Sequence, residues 1–499
     1  MGVWSRRAVL AGLVSSPVLT AGCFAGTAGK ADPDDGTASV PPSEGPGPAG
    51  YRRLPIPPLA ESRTENGVRW FTLEARPGSA AIVPGTSTPT WGYSQDLLGP
   101  TLRARTGETV GVRVRNRLPE TTSVHWHGMH LPARFDGGPH QPIAPDAGWE
   151  PSWVIAQPAA TLWYHPHPHG STQVHTYRGL AGLFLVDDDT GAGAGLPHEY
   201  GIDDLPLIVQ DKTLNPDGTL DEHDDAGTGL LGPTVTANGI AGAYAPVATD
   251  RVRLRILNGS TMRVYNLGLD DDGEFEMVAS DGGLLAAPVR LRRLALTPGE
   301  RAEIVVRMQA GRPRTLRSFP TPVPARRGRG PSAGAAQSEE FEILRLDPRP
   351  RLRTGAATPA SLAVIPPPVT AAAVARTFEL DGNTINGLSM DMDRIDLTAT
   401  VGVPEVWTVT NTHNRVHNFH VHDSHFQVLD VNGGPPPPEL AGWKDTVAVP
   451  PSGSVRLAVV FRDYADPQNP YMYHCHLMRH EDDGMMGQFL VVGPEQRSG

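Results

Sequence analysis

Cysteine is nearly absent: the 499 residues contain two, Cys23 and Cys475. They stand at opposite ends of the chain, so no structural disulfide is expected even after export. Long apolar runs are missing as well. One early stretch from Ala8 is apolar but too short to cross a bilayer, and no later segment is a transmembrane candidate. A long basic tract is the third absence. With a formal net charge of −11, this argues against a nucleic-acid surface. The acidic balance is itself an ordinary solubility feature and carries nothing about substrate.

Glycine and proline are plentiful, at 55 and 50 residues. Many short turns between strands use that composition, which points to an all-β chain. The length corresponds to about three domains of roughly 150 residues each.

Residues 1–23 read as an export signal: Arg6 and Arg7, the apolar run, then small residues. Residues 5–10, SRRAVL, are similar to a twin-arginine signal. Thr20-Ala21-Gly22-Cys23 resembles a bacterial lipoprotein cleavage site, although Leu19 sits one place too early, so lipidation and removal of Cys23 both stay open. The expected location is the cell envelope or the exterior, with acylated Cys23 as the only membrane attachment. Residues 24–50 hold few aliphatics and are expected to be a disordered tether.

Short alternating runs follow. Residues 51–190 contain candidate strands at 68–73, 109–115, 123–127, 161–165 and 182–186, with Gly99-Pro100 as a turn. Residues 200–348 contain 205–210, 251–257 and 302–307 and hold no paired histidines. Their arginine-rich stretch 312–330 reads as a solvated loop, with a docking patch for an anionic partner as the alternative. Residues 349–375, rich in Pro, Ala and Arg, read as a linker. Residues 376–495 contain 406–410, 417–431, 455–461 and 488–492. The expected architecture is three Greek-key β-sandwich domains.

The chemistry concentrates at residues 473–485, YHCHLMRHEDDGM. On a strand over 473–477, His474 and His476 point one way and Cys475 the other. A thiolate with two imidazoles and a distant thioether is a blue copper ligand set. Cys475, His480 and Met485 offer three of those four. Elsewhere the chain carries His125/His127, His165/His167 and His420/His422, each a His-x-His pair like His474/His476. Eight imidazoles are enough for two copper ions with three ligands each and a third with two. His417, three residues before His420, falls on the opposite face from His420 and His422 and supplies the missing imidazole. Two strands thus each send one ligand to a mononuclear site and two to a cluster. Isolated histidines usually do something blander, but ten of the 18 fall in these windows. Zinc is the rival metal; it has no use for one thiolate with a trailing methionine.

Four ordered motifs carry a resemblance: HWHG at 125–128, HPHPHG at 165–170, HNFHVH at 417–422 and HCHLMRHEDDGM at 474–485. At these residues the chain resembles a three-domain bacterial multicopper oxidase, a laccase-like family with cupredoxin-like domains. Ligand-free stretches extend the likeness from about Arg52 to the end: TWGYSQDLLGP, YGIDDLPLIVQDK, ASDGGLL and AGWKDTV. They are similar to the periplasmic copper-efflux oxidase and to cell-division relatives that share the fold but lack the ligands.

The resemblance implies four coppers per chain. His417, Cys475 and His480 would bind the type 1 copper, with Met485 axial. His125 and His420 would bind the type 2 copper; His127, His165 and His476 one type 3 copper, and His167, His422 and His474 the other. It also implies acids near the cluster: Asp136 beside the type 2 site and Glu481 feeding protons to the type 3 pair. His130, His140, His169, His175 and His425 are expected to be non-ligands. Two departures stand out. The Met-rich insertion of the copper-efflux oxidase is reduced to Met390 and Met392. Where that enzyme binds cuprous ion with Asp and Met, this chain has His413 and Arg415. A soft cuprous ion prefers thioethers, so a dedicated cuprous site looks absent and the type 1 edge open to organic reductants. The expected function is laccase-like oxidation of phenols and aromatic amines by a monomer, with dioxygen reduced to water. The rivals are a cuprous or manganese oxidase and a copper-free envelope scaffold.

Overall fold

The computed structural model describes residues 47–189, 195–224, 227–320, 339–370 and 372–496. The expected export signal, with Cys23, lies outside them, as do all but the last four residues of the expected tether. No described helix is long and apolar enough to cross a membrane.

The chain is all-β, with cupredoxin-like sandwiches built from paired sheets. In the first region Val68–Ala80 pairs in parallel with Thr109–Asn116. Facing them is a three-stranded sheet of Leu102–Arg105, Gly182–Asp187 and Ala160–Tyr164. Alternation explains the packing. Phe71, Leu73 and Ala75 meet Val110, Val112 and Val114 in one core with Leu102, Leu162 and Phe184. In the second region Asp204–Lys212, Arg251–Asn258 and Arg301–Arg307 lie centrally in a six-stranded sheet. Its core joins Leu205, Leu207, Val252, Leu254 and Ile304 to Leu267, Leu344 and Leu346 of a second sheet.

The third region has two five-stranded sheets. One carries Glu405–Asn411 and Ser454–Val459; the other runs Leu397–Thr400, Met486–Val492, Asp466–His474, His417–Val421, Thr446–Val449. Trp407, Phe419, Val421, Leu457, Tyr471, Tyr473 and Phe489 share its core, and Cys475 is in the same cluster.

Several elements differ from the sequence expectation. Arg52–Arg53, placed with the first unit, pairs in parallel with Ala243–Tyr244 of the second region. The strand Phe341–Arg353 takes the first five residues expected for the linker. Arg314–Ser318, expected to be loop, is a strand paired with Phe341–Arg353, and Arg314 and Arg317 are tied to Asp271 and Glu340. Arg326, Arg327 and Arg329 lie outside the described residues. The expected strand 417–431 is two strands, His417–Val421 and Gln427–Val431, interrupted where Asp423 takes a left-handed φ of 66°.

Candidate metal centre

Two segments expected to be strands build the site without being strands throughout. Residues 123–127 make only a bridge, His125 to His165, with N–H···O distances of 2.8 and 3.1 Å. The ladder stops because Pro166 has no N–H and the His167 N–H donates to Ser123 Oγ at 3.0 Å. In the third region the strand Asp466–His474 ends at His474. The next two donors are taken elsewhere: Cys475 N–H by the Met485 carbonyl at 3.1 Å and His476 N–H by Asn418 Oδ1 at 2.6 Å. Side chains still alternate. His420 lies directly opposite His474 in the sheet, and both face away from the core that holds Phe419, Tyr473 and Cys475.

The sulfur site sits at the end of that core. Cys475 Sγ is 3.6 Å from His417 Nδ1 and 3.6 Å from His480 Nδ1. Cys475, His417 and Met485 are fully buried and His480 is 7 % exposed. Burial pushes the Cys475 thiol up to about 12, so a bound cation is what would make it a thiolate at neutral pH. Burial also drives His417 down to about 3 and His480 down to about 4, which keeps both imidazoles neutral, the form that binds metals.

On the opposite side, His125, His127, His165 and His167 face His420, His422, His474 and His476. All eight are at most 1 % exposed. His125 and His422 stack at 3.9 Å, as do His127 and His420. His474 Nε2 is 3.2 Å from both His167 Nε2 and His422 Nε2. The candidate ligand atoms fall into sets within 4.8 Å of one another: His417/Cys475/His480, His167/His422/His474, His125/His127/His165 and His125/His420/His422. The His476 ring adjoins those of His127 and His165 at 4.9 and 5.1 Å.

Metal ions fit this arrangement. Nε2 of His125, His165 and His420, Nδ1 of His127 and both ring nitrogens of His476 are buried with no hydrogen-bond partner among the described residues. Orphaned buried polar atoms are expensive, and here they converge. Burial, the first cause in each case, holds His127, His165, His422 and His476 well below the ordinary imidazole range and takes His167 to about 3 and His420 to about 4.

The two predicted acids are both buried beside the cluster. Asp136 Oδ2 is 2.6 Å from His422 Nδ1, its Oδ1 is 3.4 Å from His125 Nδ1, and its backbone carbonyl accepts from His125 at 2.8 Å. Glu481, on the short helix Met478–Asp482, lies 3.4 Å from His167 Nδ1 and 3.3 Å from His474 Nδ1. Burial alone would raise its carboxyl, but His167 and His474 hold it well below the usual range.

A third acid was not anticipated. Asp445 Oδ1 is 3.0 Å from His127 Nε2, leaving His127 Nδ1 for the cluster. Arg301 grips Asp445 through two bonds, of 2.8 and 2.5 Å, and Thr446 Oγ1 donates to it at 2.9 Å. Asp445 and Arg301 are both at most 1 % exposed. Burial would raise the Asp445 carboxyl, yet Arg301 and His127 keep it well below the ordinary range. Gly128 of HWHG stands against this pair. Its φ is +80°, and a Cβ there would come within 2.6 Å of Arg301 and 2.7 Å of Asp445. The only sequence signal for Asp445 was its place in AGWKDTV, a stretch without ligands.

The other histidines have separate attachments. His130 is held by Asp423 and Asp463, each at 2.7 Å. His140 contacts Gln488 Oε1 at 2.7 Å, and His175 contacts Thr122 Oγ1 at 3.1 Å. His169 is exposed. His425 Nε2 lies 3.7 Å from Asp445 Oδ2.

Two family models, each described as "Multicopper oxidase", match residues 74–191 and 365–495. The multicopper oxidase mco of Staphylococcus haemolyticus is 34 % identical over 457 residues, covering 89 % of this chain and 93 % of that one. Cell division protein FtsP of Escherichia coli is 36 % identical over 441 residues, covering 88 % and 92 %. The solved structure of a laccase-like multicopper oxidase, CueO of Ochrobactrum sp., superposes with a TM-score of 0.80 at 34 % identity, covering 88 % of this chain and all of that one.

Proposed function

The chain belongs to the multicopper oxidase family, and is thus an oxidoreductase that uses dioxygen as acceptor; from that premise we propose that it oxidises phenols and aromatic amines in laccase-like fashion with four coppers. His417, Cys475 and His480 would hold the first, with Met485 as the fourth residue of that site. His125 and His420 would hold the second, His127, His165 and His476 the third, and His167, His422 and His474 the fourth. Copper supplies one-electron acceptance from the reductant at the first site and four-electron reduction of dioxygen to water at the cluster.

One observation carries the reading. A single peptide segment sets Cys475 Sγ at 3.6 Å from two imidazoles and, one residue earlier, sets His474 Nε2 at 3.2 Å from two others. Side chains do the remaining work. The third-region core keeps water from the sulfur. Glu481 holds an acceptor oxygen beside Nδ1 of His167 and of His474, and Asp136 does so beside His422, so both can hold and pass the protons that dioxygen reduction consumes.

The Ochrobactrum relative is described as active towards lignin model compounds and lignosulfonate, which supports phenols as the substrate class. Metal analysis of the copper-loaded protein is expected to give about four coppers per chain, with a blue thiolate band and dioxygen uptake on 2,6-dimethoxyphenol. Strong preference for cuprous or manganous ion over that phenol would replace this reading with metal oxidation. Copper-treated protein with neither a blue band nor dioxygen uptake would favour a copper-free envelope or cell-division scaffold instead, in keeping with the likeness to cell division protein FtsP. Export through residues 1–23 belongs to the same proposal and is read from the mature N-terminus by mass spectrometry.

A further inference from the structure

Among the residues of the sulfur site, His480 alone keeps an edge toward solvent, at 7 % exposure. Arg415 lies close enough for its charge to act on both His480 and His417. The His413 ring lies 5.6 Å from that of His417, half-buried, and its Nδ1 has no hydrogen-bond partner among the described residues. Arg415 is half-buried two residues before His417. Its backbone carbonyl is pinned by Asn411 Nδ2 at 2.8 Å, and Asn411 itself is fully buried. The neighbouring charges are already committed. Arg479 pairs with Asp483 at 3.1 Å and Asp224 at 3.5 Å, and Asp483 also accepts from Asn383 at 2.8 Å. No described carboxylate forms an ion pair with Arg415.

A second flank presents an apolar side chain on a loop that also carries the exposed Asp391 and Asp393. The loop after Thr384–Ile385 closes on the turn that follows His480, where Met390 N–H donates to the Gly484 carbonyl at 2.8 Å. A Cβ on Gly484 would come within 3.2 Å of Ser389, so loop and turn pack closely. Leu388 on this loop stays 47 % exposed. An aromatic ring can lie against Leu388 while an anionic substituent reaches the Arg415 guanidinium.

We propose that Arg415 selects anionic aromatic reductants, phenols bearing a carboxylate, at the His480 edge and disfavours cationic ones. This rests on the phenol oxidase reading above and names its substrate class. The need for a local cation follows from the net charge of −11, which otherwise repels an approaching anion. Arg415 acts on binding, not on the electron transfer.

Syringate and 2,6-dimethoxyphenol share the methoxyphenol ring and differ by one carboxylate. The ratio of kcat/KM for syringate to that for dimethoxyphenol should fall about fivefold in Arg415→Ala and about twentyfold in Arg415→Glu, mainly through KM, with Arg415→Lys near wild type. The wild-type ratio should also fall as salt rises. Ligand-observed NMR titration with 3,4,5-trimethoxybenzoate, which has no phenol to oxidise, reads the same selectivity without turnover. Charge-dependent binding without phenol oxidation would sink the oxidase reading alone. A syringate ratio and a trimethoxybenzoate affinity that both ignore charge reversal at Arg415 would overturn the selection proposed here.

Discussion

The sulfur site and the histidine cluster are one residue apart along the chain and are built on opposite plans. His417 and Cys475 share the inward parity of Phe419, Val421, Tyr471 and Tyr473, so the sulfur site is an extension of one sandwich core. Its four residues all come from the third region. The cluster sits on the outer face of the same sheet. Half of its imidazoles come from the first region, and its brace, Arg301, comes from a second region whose described residues contribute no candidate copper ligand. The sulfur site therefore depends on local packing, and the cluster on how three regions dock. Substitutions should separate them.

Cys475→Ser gives the largest expected effect. It should abolish the blue band and lower phenol oxidation by more than about 10³-fold, because a hydroxyl replaces the thiolate that defines the site. The cluster, made of other residues, should keep about three coppers by metal analysis. Retained oxidation of dimethoxyphenol would break the separation between the two sites.

Asp445→Asn tests the opposite side. It removes the charge facing Arg301 and leaves at most a neutral amide oxygen facing His127 Nε2, both groups being buried. Arg301 would keep only the more distant carboxylate of Asp281, at 3.7 Å, and breaking a buried ion pair costs up to about 3–5 kcal/mol. Copper should be lost from the cluster while the blue band survives, a split read by metal analysis beside the visible spectrum. Loss of both in step would show that the two sites load as one unit.

Glu481→Gln is gentler. The side chain keeps its size but cannot hold a proton between His167 and His474, so kcat should fall by about 10²-fold with copper content unchanged. A variant with wild-type kcat would remove Glu481 from proton delivery.

Alternation was the part of this design most legible in the residues. A period of two placed Cys475 opposite His474 and His476, and His417 opposite His420 and His422, and those side chains diverge as read. This survived the shortening of strand 473–477 to its first two residues, because side-chain alternation needs extended backbone and not ladder bonds. What could not be read was anything set by tertiary contact. Asp445 meets His127 across 318 residues of sequence and Arg301 across 144. A lone Asp before a Thr gives no hint of partners so distant. The same holds for His130, which from sequence was only a histidine to be left out of the ligand set.

His130 gives the smallest expected effect and probes docking through pH. It belongs to the first region, and its ring nitrogens lie 2.7 Å from Asp423 and 2.7 Å from Asp463 of the third. Burial alone would lower it, but the two carboxylates raise it from 6.5 to about 9. A folded-state value above the unfolded one means that the stabilisation is complete below about pH 6.5 and is lost as pH rises through 9. Asp463 is 55 % exposed, so solvent screens part of the effect, and about 2 kcal/mol is a fair magnitude. Unfolding free energy should thus fall by about that much more in wild type than in His130→Gln between pH 6.5 and 9.5. Because the strap joins the two regions that enclose the cluster and touches none of the sulfur-site residues, alkaline pH should also speed chelator removal of cluster copper relative to bleaching of the blue band. In His130→Gln that difference should already be present at pH 6.5. Equal rates at both sites across the range would mean that docking of the first region on the third is held by contacts other than this strap.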